Sequence, residues 1–136
     1  LIMAIQDDKS YGDLDLYVSQ YNKTTKKWSE PINLGPDINT AQSEDYPYLA
    51  FDGKTLYFSS KGQVGYGGHD IYVSTRLDNT WKSWSKPKNL GPFINTKADD
   101  KGFVIANEGK FAFFNSASFD SDMHHMDIYK VDLPKM

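Results

Sequence analysis

The sequence predicts an all-β fold made of repeated four-stranded antiparallel sheets, and three observations lead there. The chain repeats itself at a spacing of 55 to 57 residues. Its apolar residues fall in short runs rich in β-branched and aromatic side chains, bounded by Gly, Asp, Asn and Pro, as strands are. No window of about 12 residues carries helical periodicity closed by caps.

The repeat is plainest in "KKWSEPINLGPDINT" (26–40), which returns as "KSWSKPKNLGPFINT" (82–96) and carries Trp28 onto Trp84 at a shift of 56. "DLDLYVS" (13–19) answers "GHDIYVS" (68–74) and "HMDIYKV" (125–131), so Asp15, Asp70 and Asp127 are equivalent. "YPYLAFDGKTLYFSS" (46–60) matches "GFVIANEGKFAFFNS" (102–116), and the opening "LIMAI" falls where "LYFSS" sits in the next copy. One unit therefore holds four strands: A (46–51), B (54–60), C (70–76) and D (82–90). This period is too long for helical solenoids and lies near that of propeller blades, about 40 to 50 residues.

Strands A and B are joined by Asp52-Gly53, a two-residue hairpin signal of type I′, and Glu108-Gly109 takes the same place in the next copy. The B strands are apolar on both faces, which predicts burial on both, as in sheets stacked around an axis. The chain then reads B-C-D, A-B-C-D, A-B-C. That is about two and a half blades of a β-propeller: an incomplete blade at 1–34, a complete one at 46–90 and an incomplete one at 102–136. Closed propellers need at least about four blades. Either further blades of the same propeller or copies of the chain are expected to complete the ring. The apolar start Leu1–Ile5, without an initiator methionine, reads as the middle of a strand and suggests a segment of a longer polypeptide.

With 136 residues, a net charge of −3, 15% aromatics and no cysteine, the composition suits one domain without disulfides or thiolate metal sites. Charges of both signs are interspersed, so no basic stripe offers itself to nucleic acid and no polybasic segment to anionic lipid. The longest apolar runs, such as 111–114, fall far short of the roughly 20 residues of a spanning helix, and no direct membrane insertion is expected.

The most site-like stretch is "GYGGHDIYVS" (65–74). A phosphate-binding glycine loop opens a helix, whereas here a strand follows, so Gly65, Gly67 and Gly68 are read as supplying positive φ between strands B and C. Asp70 recurs as Asp15 and Asp127, which points to a structural acceptor pinning each C strand rather than to a catalyst. Trp28 and Trp84 recur and are read as packing residues, Gly53 and Gly109 as turn residues, and the unrepeated Trp81 as an exposed aromatic. His69, His124 and His125 occupy unequal positions, and no convergent metal ligand set is legible. "DDKSYGDLD" (7–15) is oxygen-rich but lacks the ligand spacing of an EF-hand. Glu44-Asp45 and Asp99-Asp100 fall between strands D and A and are read as solvated charge. No Gly-x-Ser-x-Gly elbow marks a nucleophile. The residues left for a ligand face are Tyr11, Tyr66, His69 and Trp81.

Residues 46–76, "YPYLAFDGKTLYFSSKGQVGYGGHDIYVSTR", resemble the WD40-like (TolB-type) β-propeller repeat, whose units run proline, strand, Asp-Gly-Lys, aromatic strand, Ser-Ser, glycine-rich loop, Asp-Ile-Tyr. "WSEPINLGPDINTAQSEDYPYLAFDG" is similar to the connection between such blades in cell-envelope proteins of Gram-negative bacteria that carry peptidoglycan-binding domains. The resemblance implies a non-catalytic scaffold without cofactor, exported to the periplasm or associated with the outer membrane, whose partners are other envelope proteins. Competing expectations are a glycan-binding module, from the aligned Tyr11 and Tyr66, and a propeller appendage of a hydrolase.

Overall fold

In the computed structural model, which describes residues 1–106, 108–117 and 125–133, every regular element is a strand and no helix occurs among the described residues. The first unit forms one antiparallel sheet from β1 (Ile2–Ile5), β2 (Asp15–Val18) and β5 (Ile32–Asn33), with a side hairpin of β3 (Tyr21–Asn22) and β4 (Lys27–Trp28). The second has four strands in sequential order, β6 (Glu44–Leu49), β7 (Thr55–Ser60), β8 (Asp70–Thr75) and β9 (Lys88–Asn89). The third is β10 (Asp100–Ala106), β11 (Phe111–Ala117) and β12 (Met126–Asp132), also antiparallel, and none of these sheets closes into a barrel.

Strand alternation explains how the units join. Leu56 and Phe58 point to one side of β7; with Tyr72 and Trp84 they meet Leu16, Val18, Leu34 and Ile38 of the first unit in one buried cluster. Tyr57 points to the other side and stacks on Phe103 of the third unit, ring centroids 4.9 Å apart, beside a second cluster of Ile71, Ile94, Phe103, Ala112 and Phe114. The middle unit is apolar on both faces because both faces are covered. Each fully buried Leu, Ile or Phe contributes roughly 1.5–3 kcal/mol.

Several expectations are corrected. The A–B turn is not a two-residue type I′ hairpin. Ala50 N–H donates to Thr55 O at 2.8 Å and Gly53 N–H to Ala50 O at 3.0 Å, and only Gly53 takes a left-handed φ, of 67°. Asp52 closes the loop through its side chain instead, accepting the Lys54 and Thr55 N–H groups at 2.8 Å each. In the third unit Glu108 and Gly109 both have positive φ, 55° and 85°.

The D strand is also shorter than its sequence run. Along β8 it pairs at Lys88–Asn89, with a single bridge from Arg76 to Trp84, because Pro87 has no N–H to give the ladder. The first unit breaks the same way around Pro31, into β4 and β5. A serine hydroxyl spans each gap: Ser19 donates to Ser29 O at 2.7 Å and Ser74 to Ser85 O at 2.6 Å. A repeated bulge kinks the A strands, where Tyr46 (φ 49°) and Gly102 (φ 69°) occupy equivalent places in the register shifts of β6 and β10.

Candidate functional site

The B–C loops and the D–A crossovers lie at one end of the units, and two hydrogen-bond frames of the same design hold them. Asp15 accepts Tyr11 N–H at 2.7 Å, Gly12 N–H at 3.3 Å and the Asn33 side-chain amide at 2.7 Å. Asp70 accepts Tyr66 N–H at 2.6 Å, Gly67 N–H at 3.1 Å and the Asn89 amide at 2.7 Å. Asn33 and Asn89 in turn accept from Gly35 and Gly91 N–H and from the amides of Asn39 and Asn95, each contact 2.8 Å. Asn39 and Asn95 then bond both backbone groups of the residue after the aspartate, Leu16 and Ile71, at 2.7–3.0 Å. Each frame ties loop, C strand, D strand and crossover through one buried carboxylate. Asp127 holds the equivalent register position, opposite Ser116 as Asp70 is opposite Ser60, but is exposed. The loop preceding it, with His124, lies outside the described residues.

A second repeated carboxylate was missed in the sequence. Glu44 accepts Thr40 N–H, Thr40 Oγ1 and Ser60 Oγ at 2.6–2.7 Å, and Asp100 accepts Thr96 N–H at 2.5 Å and Thr96 Oγ1 at 3.1 Å. Both are buried, not solvated, and desolvation pushes both carboxyls above their ordinary values despite these hydrogen bonds. The signal was available: Thr-x-x-x-Glu at 40–44 returns as Thr-x-x-x-Asp at 96–100.

The glycines of 65–68 do not supply positive φ; the left-handed glycines are 35, 53, 91, 102 and 109. They are needed for close approach. A Cβ on Gly65 would sit 2.1 Å from Asp70 Oδ2, on Gly67 2.3 Å from Ala98 O and on Gly68 2.3 Å from Asp99 Oδ1. Gly12 repeats the device against Gln42 O at 2.1 Å.

Above these frames the aromatic rings differ in kind from the pins beneath them. Tyr11 and Tyr66 are 54% and 51% exposed, each on the residue whose N–H is held by the aspartate. His69 is half-buried at the junction of the second and third units. Its Nδ1 lies 3.1 Å from Asp99 Oδ1 and its Nε2 3.7 Å from Asp45 Oδ2, which is also 3.7 Å from Lys101 Nζ. Burial pushes the Asp45 carboxyl up, against the attraction of Lys101 and His69. Burial also raises Asp99, but the backbone and ring hydrogen bonds of His69 outweigh it and hold that carboxyl low. The two carboxylates take opposite ring nitrogens, so the three groups do not converge on one point. Among the described residues no cluster of His, Cys, Asp and Glu has the geometry of a metal site. In "DDKSYGDLD", Asp7 is occupied by Lys9 N–H at 2.8 Å and Tyr17 OH at 2.6 Å.

Trp81 stands apart from the other ligand-face candidates. It lies beside the A–B turn, its ring under the Arg76 guanidinium at 4.1 Å, while Arg76 also donates to Gly53 O at 3.1 Å. It is partly buried against the first apolar cluster rather than exposed, because its carbonyl accepts the Trp84 indole N–H at 2.9 Å and holds the two rings together. Trp84 is 3% exposed. Trp28, expected to pack likewise, is 55% exposed and leans on Tyr21, centroids 5.2 Å apart. The reason is a missing neighbour: Trp84 is covered by the crossover of the preceding unit, through Leu34 and Ile38 and a 3.0 Å bond from its N–H to Asp37, and no described residue plays that part for Trp28.

No family model, curated protein or solved structure matches this chain.

Proposed function

We propose that the chain is part of a β-propeller scaffold of the bacterial cell envelope, periplasmic or outer-membrane associated, whose B–C loops dock a protein partner without catalysis. One observation carries this reading: two units rebuild the same aspartate–asparagine frame under loops of different sequence, 6–14 and 61–69, each presenting a half-exposed tyrosine, Tyr11 in one and Tyr66 in the other. Chemistry at a single centre does not call for a duplicated frame; repeated presentation of variable loops does. The blade reading is supported by three successive antiparallel sheets joined through apolar clusters on both faces of the middle one, and the envelope setting by the resemblance of residues 46–76 to WD40-like (TolB-type) repeats.

The test is affinity capture from a Gram-negative envelope fraction with the chain and with a Tyr11→Ala/Tyr66→Ala variant. A partner retained by the first and lost by the second supports the reading; no stable partner, or equal recovery by both, sinks it. A glycan-binding role is the second reading, favoured by two half-exposed tyrosine rings in equivalent loops, which suit stacking on sugar faces. Glycan-array binding that disappears in the same double variant would establish it in place of the first.

A further inference from the structure

The two junctions between units follow one plan and are filled differently. At the second, Tyr57 of β7 stacks on Phe103 of β10, ring centroids 4.9 Å apart. Strand register carries Tyr57 onto Ile2, since Ser60 lies opposite Asp70 as Ile5 lies opposite Asp15, and the repeat carries Phe103 onto Pro47. The first junction therefore has two smaller side chains where the second has a stacked pair of rings. A groove of about 440 Å³ opens there, lined by Ile2, Val18, Pro47 and Leu49 together with the rings of Trp28 and Trp81. It lies at the end of β2 away from the B–C loops. Trp81 is held at the groove by the Arg76 guanidinium over its ring at 4.1 Å.

We propose that this groove binds an aromatic side chain carried on a peptide segment of a partner, whose ring takes the place that Tyr57 holds against Phe103 in the second junction. The lining selects this class of ligand. No charged side chain among the described residues lines the groove, and concave sites walled by apolar and aromatic side chains take apolar rings. A sugar would need partners for its hydroxyls, but the Ser19 hydroxyl in the lining already donates to Ser29 O at 2.7 Å. The inference rests on the comparison of the two junctions and is independent of what the B–C loops bind.

The experiment titrates the intact 136-residue chain with the capped peptide acetyl-Gly-Tyr-Gly-amide and follows backbone and indole N–H shifts by NMR. Saturable shifts centred on Ile2, Val18, Leu49, Trp28 and Trp81 are expected, half complete near about 1 mM, and the same peptide with alanine for tyrosine should produce none. Trp28→Ala should weaken binding at least about threefold. Ile2→Tyr combined with Pro47→Phe rebuilds the second junction's pair of rings inside the first and should abolish binding while the spectrum stays dispersed; if that variant does not fold, Trp28→Ala decides the matter. No saturation by about 10 mM, equal shifts from the alanine peptide, undiminished binding by Trp28→Ala or by a folded double variant, or saturation of the groove by chitotriose instead of the tyrosine peptide would each overturn the proposal. Loss of partner capture through the B–C loops with tyrosine-peptide binding intact would remove the scaffold reading and leave this one standing.

Discussion

The frame around Asp70 predicts a large and specific loss of stability on Asp70→Ala. The change leaves the N–H groups of Tyr66 and Gly67 and the amide of Asn89 without the acceptor they reach at 2.6, 3.1 and 2.7 Å. A hydrogen bond to a charged group is worth about 1.5–3 kcal/mol net and a buried donor left unpaired costs about 1–3 kcal/mol. Water reaches the exposed loop amides more easily than the Asn89 amide, which brings the sum to about 3–5 kcal/mol, a large part of the 5–15 kcal/mol by which domains are stable. Urea denaturation followed by far-ultraviolet circular dichroism measures it, and the melting temperature should fall by roughly 10–20 °C. Asp127→Ala, at the exposed equivalent position, is the internal control and should stay within about 0.5 kcal/mol of the parent. If Asp70→Ala costs no more than Asp127→Ala, the carboxylate is not the pin described above.

Other substitutions test the corrected assignments. Trp84→Ala should cost about 3–5 kcal/mol, as large-to-small changes in a core do, whereas Trp28→Ala at the exposed equivalent should cost under about 1 kcal/mol; similar losses from both would refute the covering role of the crossover. Gly67→Ala places a methyl 2.3 Å from Ala98 O and should destabilise by about 1–3 kcal/mol, while an unchanged urea midpoint would contradict the close-approach reading. Glu44 carries a pH signature. Its folded value is raised above 4.5, so the stability it contributes is fully present below that value and is lost as pH rises through the raised one. Glu44→Gln should flatten that part of the stability–pH curve, and a curve of unaltered slope would count against a buried ionisable Glu44.

The fold class was legible because a repeat and a two-residue alternation survive without knowledge of neighbours. Asp15 and Asp70 were legible as structural residues for the same reason, although the asparagines that complete their frames, Asn33 with Asn39 and Asn89 with Asn95, recur as visibly and went unread. What sequence equivalence does not convey is what lies beside a residue in space. Trp28 and Trp84 share a place within the unit, but only Trp84 has a crossover laid over it. Glu44 and Asp100 look like solvated charge in a linker until the linker folds back over the strand ends. Glycine serves left-handed turns and tight contacts alike, and the letters in "GYGGHD" do not distinguish them; the crossover at Lys97–Asp99, distant in sequence from Gly67, decides it.

The two junctions between units also differ in chemistry, which bears on where recognition and cohesion divide. At the first, Leu14 O accepts Glu44 N–H at 2.7 Å; at the second, His69 O accepts Asp100 N–H at 2.8 Å, so an apolar residue in one junction is replaced by a histidine set between Asp45 and Asp99 in the other. Asp45 Oδ1 and His69 Nε2 are buried there without a hydrogen-bond partner among the described residues. Polar groups in that state cost stability unless charge compensates them. His69→Leu, which copies the first junction, removes the imidazole 3.7 Å from Asp45 Oδ2 and leaves Asp45 buried with Lys101 alone beside it, and should destabilise by about 1–3 kcal/mol. Combining it with Asp45→Asn replaces the buried carboxyl by a neutral amide and should recover at least half of the loss, a coupling that a double-mutant cycle in urea would read directly. Additive losses would mean that Asp45 answers to Lys101 alone, and that His69 belongs with Tyr66 on the exposed face rather than with the joint beneath it.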